Sequence, residues 1–233
     1  MTKNGDVNFW SDIELGNVVE NTVYRVAILI KERYRVRDGV EIKLKKKIPV
    51  SAGLGGGSSN AATAIRVLSL LWDLELSEEE MRGIAAEIGS DVNFFLLGGT
   101  ALGEGRGEIV EAIGPLDFEM LLLVKPSFGI SSREAYQSLQ EYGNSNNWNL
   151  LIREKDPSYC FNRLERALIE KYPQLGEIVA HMQSNGALKA MVSGSGSTVV
   201  GFFNDRQKFD EQYNYYRENG FWCCQTKTKR RMQ

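Results

Sequence analysis

The sequence predicts an α+β protein, and three observations carry that expectation. A strand-like stretch, Val40–Leu44, runs through a glycine-rich loop into an amphipathic helix. Capped, periodic helical segments recur on both sides of it. Two short apolar runs further on, residues 118–125 and 198–203, read as buried strands. At 233 residues the chain can form one large domain or two small ones with a sizeable core.

Residues 6–13 read as a strand or an irregular edge. Asn17 to Tyr34 reads as a helix, since Val19, Val23, Val26, Ala27 and Ile30 share one face. Asp38-Gly39 is a turn, after which Val40–Leu44 alternates apolar and charged residues as a half-buried strand does. Glycines follow at 53, 55, 56 and 57, and Ala61, Ile65, Leu68 and Trp72 then define one apolar helix face. Ser58 to Asn60 are good N-cap types, so the helix is expected to start there. A glycine loop can turn successive N–H groups inward, and a helix N-terminus adds its dipole, so phosphate is the expected ligand. Gly56 is expected at φ > 0, where Gly56→Val would abolish nucleotide binding.

Neither familiar phosphate fingerprint fits. A P-loop needs Lys-Ser/Thr after its second glycine, and a dinucleotide loop needs glycine where Ser58 stands. A glycine turn without a ligand stays as the alternative. Ser77 and Glu80 form a capping box for a helix ending near Gly89. Asp91 then stands where an N-cap residue would, and 99–108 reads as a hairpin. Helices are expected from Phe161 and over 173–183, with Tyr136 packing its own helix on local grounds. Residues 142–149 read as polar loop, and 187–191 as a short strand entering the glycine-serine turn at 193–197.

Composition narrows the class. The chain is 42% hydrophobic and 25% charged, ordinary for a soluble globular protein. A formal net charge of −2 gives no broad nucleic-acid footprint, and Lys227, Lys229, Arg230 and Arg231 read as a solvated end. No apolar run approaches the ~18 residues needed to cross a bilayer, and the first ten residues lack a signal-peptide core. Cys160, Cys223 and Cys224 are sparse and lack metal spacing, which fits a reducing cytoplasm. His181, the only histidine, reads as a surface or packing residue, so Ser-His-Asp chemistry is not expected.

The string P-x-x-x-G-L-G-G-G-S-S-N-A-A at 49–62 resembles the ATP-phosphate loop of the GHMP kinases. The triple glycine before Ser58-Ser59 resembles the members that phosphorylate 4-diphosphocytidyl-2-C-methyl-D-erythritol in non-mevalonate isoprenoid synthesis. The resemblance implies a two-lobed fold, with a ribosomal protein S5 domain 2-like lobe over 1–115 and a ferredoxin-like lobe over 116–233, the active site lying between them. It implies ATP phosphates on Pro49, Gly53, Leu54, Gly55, Gly56, Gly57, Ser58, Ser59 and Asn60, with Ser59 reaching Mg²⁺. Ser193, Gly194, Ser195 and Gly196, in a turn ending at Ser197, would close over them. Asp91 matches the aspartate beside the phosphoryl acceptor, with Asn93 where proline is usual. The segment 99–108 matches the family's following strand and glycine turn, and 161–165 its Asn-Asp-Leu-Glu segment. Tyr136 matches an aromatic that stacks on cytosine.

Two further marks of the family, an early lysine-asparagine strand and a Tyr-His pair, find no match here, and Lys3 is in the wrong context. The expectation is therefore an ATP-dependent kinase with a shortened N-lobe and weak or absent catalysis by this chain. The alternatives are a nucleotide-binding relative without catalysis and a kinase for another alcohol. Expected partners are ATP, Mg²⁺ and a cytidyl-diphosphate-linked polyol, with no nucleic acid or membrane, in a monomer or homodimer.

Overall fold

A computed structural model describes residues 5–139 and 148–230. The described chain divides into two compact units. The first holds the residues up to Pro49 and Gly55–Ala112; the second holds Val50–Leu54 and the residues from Ile113 onward.

In the first unit β1 (Val7–Ser11) and β2 (Val40–Leu44) pair in parallel, Val7 opposite Val40 and Ser11 opposite Leu44. Between them lies α1 (Thr22–Arg33). It starts later than the periodicity from Asn17 predicts. Asn17 and Asn21 each accept a hydrogen bond from the N–H two residues on, so a short 3₁₀ turn, Val18–Glu20, closes first. Next come α2 (Gly56–Leu71), α3 (Glu78–Ile88) and α4 (Val92–Leu97). The capping box of α3 is present as expected: Glu80 N–H donates to Ser77 Oγ, and Glu80 accepts from Ser77 N–H. The unit ends in the antiparallel hairpin β3 (Ala101–Glu104) and β4 (Ile109–Ala112).

Its core is one cluster. Val26, Ala27 and Ile30 of α1, Ala61, Ile65 and Leu68 of α2, and Ile84, Ala85 and Ile88 of α3 lock the three helices together. Burying side chains such as Ile30, Ile65 and Ile84 stabilises the unit by ~1.5–3 kcal/mol each. That packing holds the start of α2 in place.

The second unit runs β5 (Leu121–Lys125), α5 (Ser132–Gln137), α6 (Trp148–Glu154), α7 (Glu165–Lys171), α8 (Pro173–Ser184), β6 (Lys189–Val192), β7 (Val199–Phe202), α9 (Arg206–Glu218) and β8 (Trp222–Thr226). The sheet order is β6-β7-β5-β8 with every pair antiparallel, a split βαβ arrangement of the ferredoxin-like kind. Helix α8 packs on β6 and β7, and α9 on β5 and β8. Leu122, Val124, Leu168, Ile178, Met182, Val199, Phe209 and Tyr216 fill the layer between helices and sheet.

Two boundaries in this unit differ from expectation, and two elements were not expected at all. Helix α6 already begins at Trp148, inside the expected polar loop, whose residues 142–147 lie outside the described residues. Helix α7 begins at Glu165 rather than Phe161, because Asn162 turns the chain first: its Oδ1 accepts the Leu164 N–H at 3.0 Å. Helix α9 and strand β8 have no counterpart in the sequence reading, since α9 buries only Phe209, Gln212 and Tyr216 among charged neighbours. His181 is a packing residue, stacked on Tyr215 at 4.3 Å with Nδ1 3.0 Å from the Tyr216 hydroxyl. At the C-terminal end Lys227 pairs with Glu119 and Arg230 with Asp117, while Lys3 and Arg231 lie outside the described residues.

Candidate functional site

The glycine loop passes from the second unit into the first at Leu54-Gly55. Gly55, not Ser58 to Asn60, is the N-cap of α2, at φ 62° and ψ 18°. That correction matters chemically. A serine or asparagine cap would spend its side chain on the helix's first N–H groups; Gly55 has none, and no side chain caps α2. The Gly55 carbonyl accepts from Ser59 N–H at 2.9 Å, which leaves Gly56, Gly57 and Ser58 ahead of the first helical bond. Ser58, Ser59 and Asn60 lie inside the first turns of the helix.

The four glycines have different reasons for being glycine. Gly53 and Gly55 take positive φ, and side chains there would strike the Ser193 carbonyl and the Phe95 ring. Gly56 is helical, not at φ > 0 as expected; it is tight against Ile48, 3.0 Å from where a Cβ would stand. Gly57 is exposed, and a Cβ there would meet only Thr22 Oγ1 at 3.8 Å. Neither strain nor packing explains it. A bare backbone at an uncapped helix start leaves an anion free to approach closely.

One cation accompanies this start. Lys46 Nζ donates to Asn60 Oδ1 at 3.0 Å and lies 3.4 Å from where a Gly56 Cβ would be. Its backbone N–H donates to Asp12 Oδ1 at 2.9 Å, which fixes the strand exit. Burial pushes its pKa below the ordinary lysine value, opposed by the Asp12 charge. In sequence Lys45, Lys46 and Lys47 stand only as conceivable substitutes for the family's early lysine, and Lys47 already matches the lysine usual ahead of Ile48-Pro49. The Lys46 side chain's place beside α2 depends on the register of β2, which three consecutive lysines do not reveal.

Asp91 occupies the N-cap position of α4 at φ −83° and ψ −5°, yet its side chain caps nothing. The carboxylate is exposed. The local reading of Asp91 as a cap is thereby corrected: an αR backbone there turns the side chain away from the helix N–H groups. Helix α4 is seated against α2, the Phe95 ring filling the space that Gly55 leaves and the Leu96 carbonyl accepting from Arg66.

In the second unit Gly53 is tied to the downstream turn. Ser193 Oγ donates to the Gly53 carbonyl at 3.0 Å, and Thr198 N–H to the Ala52 carbonyl at 3.2 Å. Asn162 Nδ2 donates to the carbonyls of both Val192 and Gly194 at 2.8 Å, and Glu165 accepts from Val192 N–H. Ser195 Oγ lies 3.3 Å from Ser132 Oγ, at the start of α5. Tyr136, on α5, is 65% exposed, so it does not pack its own helix; Ala135 does. Among the described residues no cluster of three or more His, Cys, Asp or Glu side chains could hold a metal ion.

The GHMP kinases N-terminal domain matches residues 21–99, and the GHMP kinases C-terminal domain matches 133–220. The 4-diphosphocytidyl-2-C-methyl-D-erythritol kinase of Thermodesulfovibrio yellowstonii is 38% identical over 216 residues, covering 87% of this chain and 75% of that one. The chain belongs to the GHMP kinases. The 4-diphosphocytidyl-2-C-methyl-D-erythritol kinase of Listeria innocua is 40% identical over 205 residues, covering 84% of this chain and 70% of its own. A crystal structure of 4-(cytidine 5'-diphospho)-2C-methyl-D-erythritol kinase superposes with a TM-score of 0.80 at 27% identity, over 96% of this chain and 83% of that one. Homoserine kinase from Cytophaga hutchinsonii shares the GHMP kinase fold, with a TM-score of 0.78 at 17% identity over 100% of this chain and 84% of that one. No helix among the described residues is long and apolar enough to cross a membrane.

Proposed function

We propose that this GHMP kinase moves the γ-phosphoryl group of ATP onto a hydroxyl of 4-diphosphocytidyl-2-C-methyl-D-erythritol, the reaction for which its 38–40% identical relatives are named. The observation that carries a phosphate site in this chain is the start of α2, uncapped, bare at Gly57 and accompanied by the Lys46 ammonium. Phosphoryl transfer asks a protein for positioning and charge stabilisation more than for covalent chemistry.

In this reading Gly55 to Asn60, entered through Pro49, Gly53 and Leu54, hold the phosphates with backbone N–H groups. Lys46 adds a full positive charge to the partial charge of the helix end. Asp91, with its carboxylate free of capping, orients the acceptor hydroxyl and takes its proton. The hydroxyl oxygen bonds to the γ-phosphorus as the bond to the bridging β–γ oxygen breaks, and ADP leaves with those electrons. Ser193, Gly194, Ser195 and Gly196 back the first glycines of the loop, and Tyr136 offers an exposed ring face to cytosine. Ser59 in the first turn of α2 is the side chain proposed to hold Mg²⁺, which would supply positive charge against the phosphates. Magnesium keeps most of its waters and needs few protein ligands, so a hydroxyl with substrate oxygens suits it. The lobes over 1–115 and 116–233 would act together in the cytoplasm, as a monomer or homodimer.

The experiment is steady-state ADP release with 4-diphosphocytidyl-2-C-methyl-D-erythritol, homoserine and mevalonate offered separately. Turnover with the cytidyl substrate alone is expected. ADP release with another of these alcohols, and none with the cytidyl compound, would overturn the assignment of acceptor.

A further inference from the structure

Two residues beyond Asp91, Asn93 is buried in the first turn of α4, at 7% exposure. Its Nδ2 donates to the backbone carbonyl of Glu108 at 2.9 Å, while Oδ1 has no hydrogen-bond partner. A buried acceptor left unpaired costs at least as much as one ordinary hydrogen bond returns, so stability alone does not account for an amide here. An apolar side chain of the same volume would pack as well. The amide's one bond crosses to the turn between β3 and β4.

That turn is itself ordered. Gly107 N–H donates to the Glu104 carbonyl at 3.0 Å, and Arg106 N–H to Glu108 Oε2 at 2.7 Å. The turn's tip lies against the acidic segment. A Cβ on Gly107 would stand 3.7 Å from Ser90 Cβ and 3.9 Å from Asp91 Oδ1. Gly107 has φ +106°, so the backbone there adopts a conformation that keeps side chains out of this space. The turn thus forms one wall of the room available to the Asp91 carboxylate, and the Asn93–Glu108 bond holds that wall to the helix that carries Asp91.

We infer that Asn93 is a positioning residue that fixes the β3–β4 turn beside Asp91 and so restricts the orientations of its carboxylate. The inference rests on the reading of Asp91 as the group that meets the acceptor hydroxyl. A misplaced base loses rate even when its pKa is unchanged, since proton acceptance needs hydrogen-bond reach. Binding of ATP does not pass through this contact.

The test is a cycle of four proteins: the natural chain, Asn93→Leu, Asp91→Asn and the double variant, assayed for kcat, for KM of ATP and of the cytidyl acceptor, and by thermal melting. Asn93→Leu keeps the volume and removes both the bond and the unpaired oxygen; Asn93→Ala is the second variant should leucine disturb the fold. The expected result is a fall in kcat of about tenfold with an unchanged melting point and unchanged KM for ATP, and no further fall when the change is added to Asp91→Asn. Natural kcat in both Asn93 variants, or losses that multiply in the double variant, would overturn the inference. Full activity in Asp91→Asn alone would instead sink the reading on which it rests.

Discussion

The two glycine-serine turns of this chain look alike in sequence and behave oppositely. At the start of α2 the polar groups are left open: no side chain caps the helix and Gly57 is bare without a packing reason; at the start of α4, Asp91 likewise caps nothing. At 193–197 the polar groups are tied. Ser193 bonds Gly53, Ser197 bonds Phe128, and Asn162 bonds two carbonyls at once. Glycine serves conformation and close protein packing throughout the second turn and at Gly53, Gly55 and Gly56 of the first, while Gly57 has neither reason. The difference teaches that a glycine run marks a site only where the protein itself leaves the backbone unspent.

Substitutions in the open region are expected to change activity without changing stability, and the largest effect belongs to Asp91. Asp91→Asn should lower kcat by ~10²–10⁴-fold with ATP affinity within about a factor of two, as for a positioned proton acceptor. Because the carboxylate makes no cap bond, melting should not move. A fall in melting temperature with kcat intact would return Asp91 to a structural role. Next is Gly57→Val. With only Thr22 Oγ1 within 4 Å, the protein can hold a side chain there. A branched group would block phosphate from the helix start, and ATP affinity measured by calorimetry should fall about a hundredfold, ~3 kcal/mol. Unchanged affinity would mean that Gly57 faces no ligand.

Lys46 sharpens the contrast through pH. Lys46→Met should weaken ATP binding about tenfold. Burial lowers the pKa of the Lys46 ammonium, so its charge is lost at a pH below that of an ordinary lysine. The sign follows: ATP affinity is full while the ammonium is protonated and falls as pH rises through that lowered value. The methionine variant should lack this alkaline limb. The same limb in both proteins would assign it elsewhere.

Much of this was legible in the sequence because local chemistry and tertiary demand agree there. The capping box at Ser77 and Glu80 and the alternation of Val40–Leu44 are written in neighbouring residues. The helix cap at Gly55 was not legible, since Ser58 and Ser59 are better caps in isolation, and the two things that favour glycine there, φ 62° and the ring of Phe95 forty residues on, are set by the fold. Lys46 and Asn162 act through contacts set by distant register, and a single sequence carries no sign of them. Helix α9 hid because its buried stripe contains a glutamine and a tyrosine in place of aliphatic residues. Tyr136 was ambiguous for the opposite reason: an aromatic at a helical position signals packing and binding equally, and only its exposure separates the two.

The smallest expected effect tests the tied turn. Asn162→Ala removes two donors, to the carbonyls of Val192 and Gly194, and the acceptor of the Leu164 N–H. Losing such bonds from a partly buried turn should cost about 2 kcal/mol in denaturant unfolding, after allowance for water replacing some of them. ATP affinity should change less than in Gly57→Val, because the loss falls on support of the turn and not on the helix start. Asn162→Asp separates the donors from the acceptor. It keeps an oxygen for Leu164 N–H but sets a carboxylate against two carbonyl oxygens 2.8 Å from the present nitrogen. Repulsion there should make aspartate at least as destabilising as alanine, although it is the closer match in shape. If aspartate instead unfolds like the natural chain, the two carbonyls do not depend on Asn162, and the turn at 193–197 is no more tied than the one at α2.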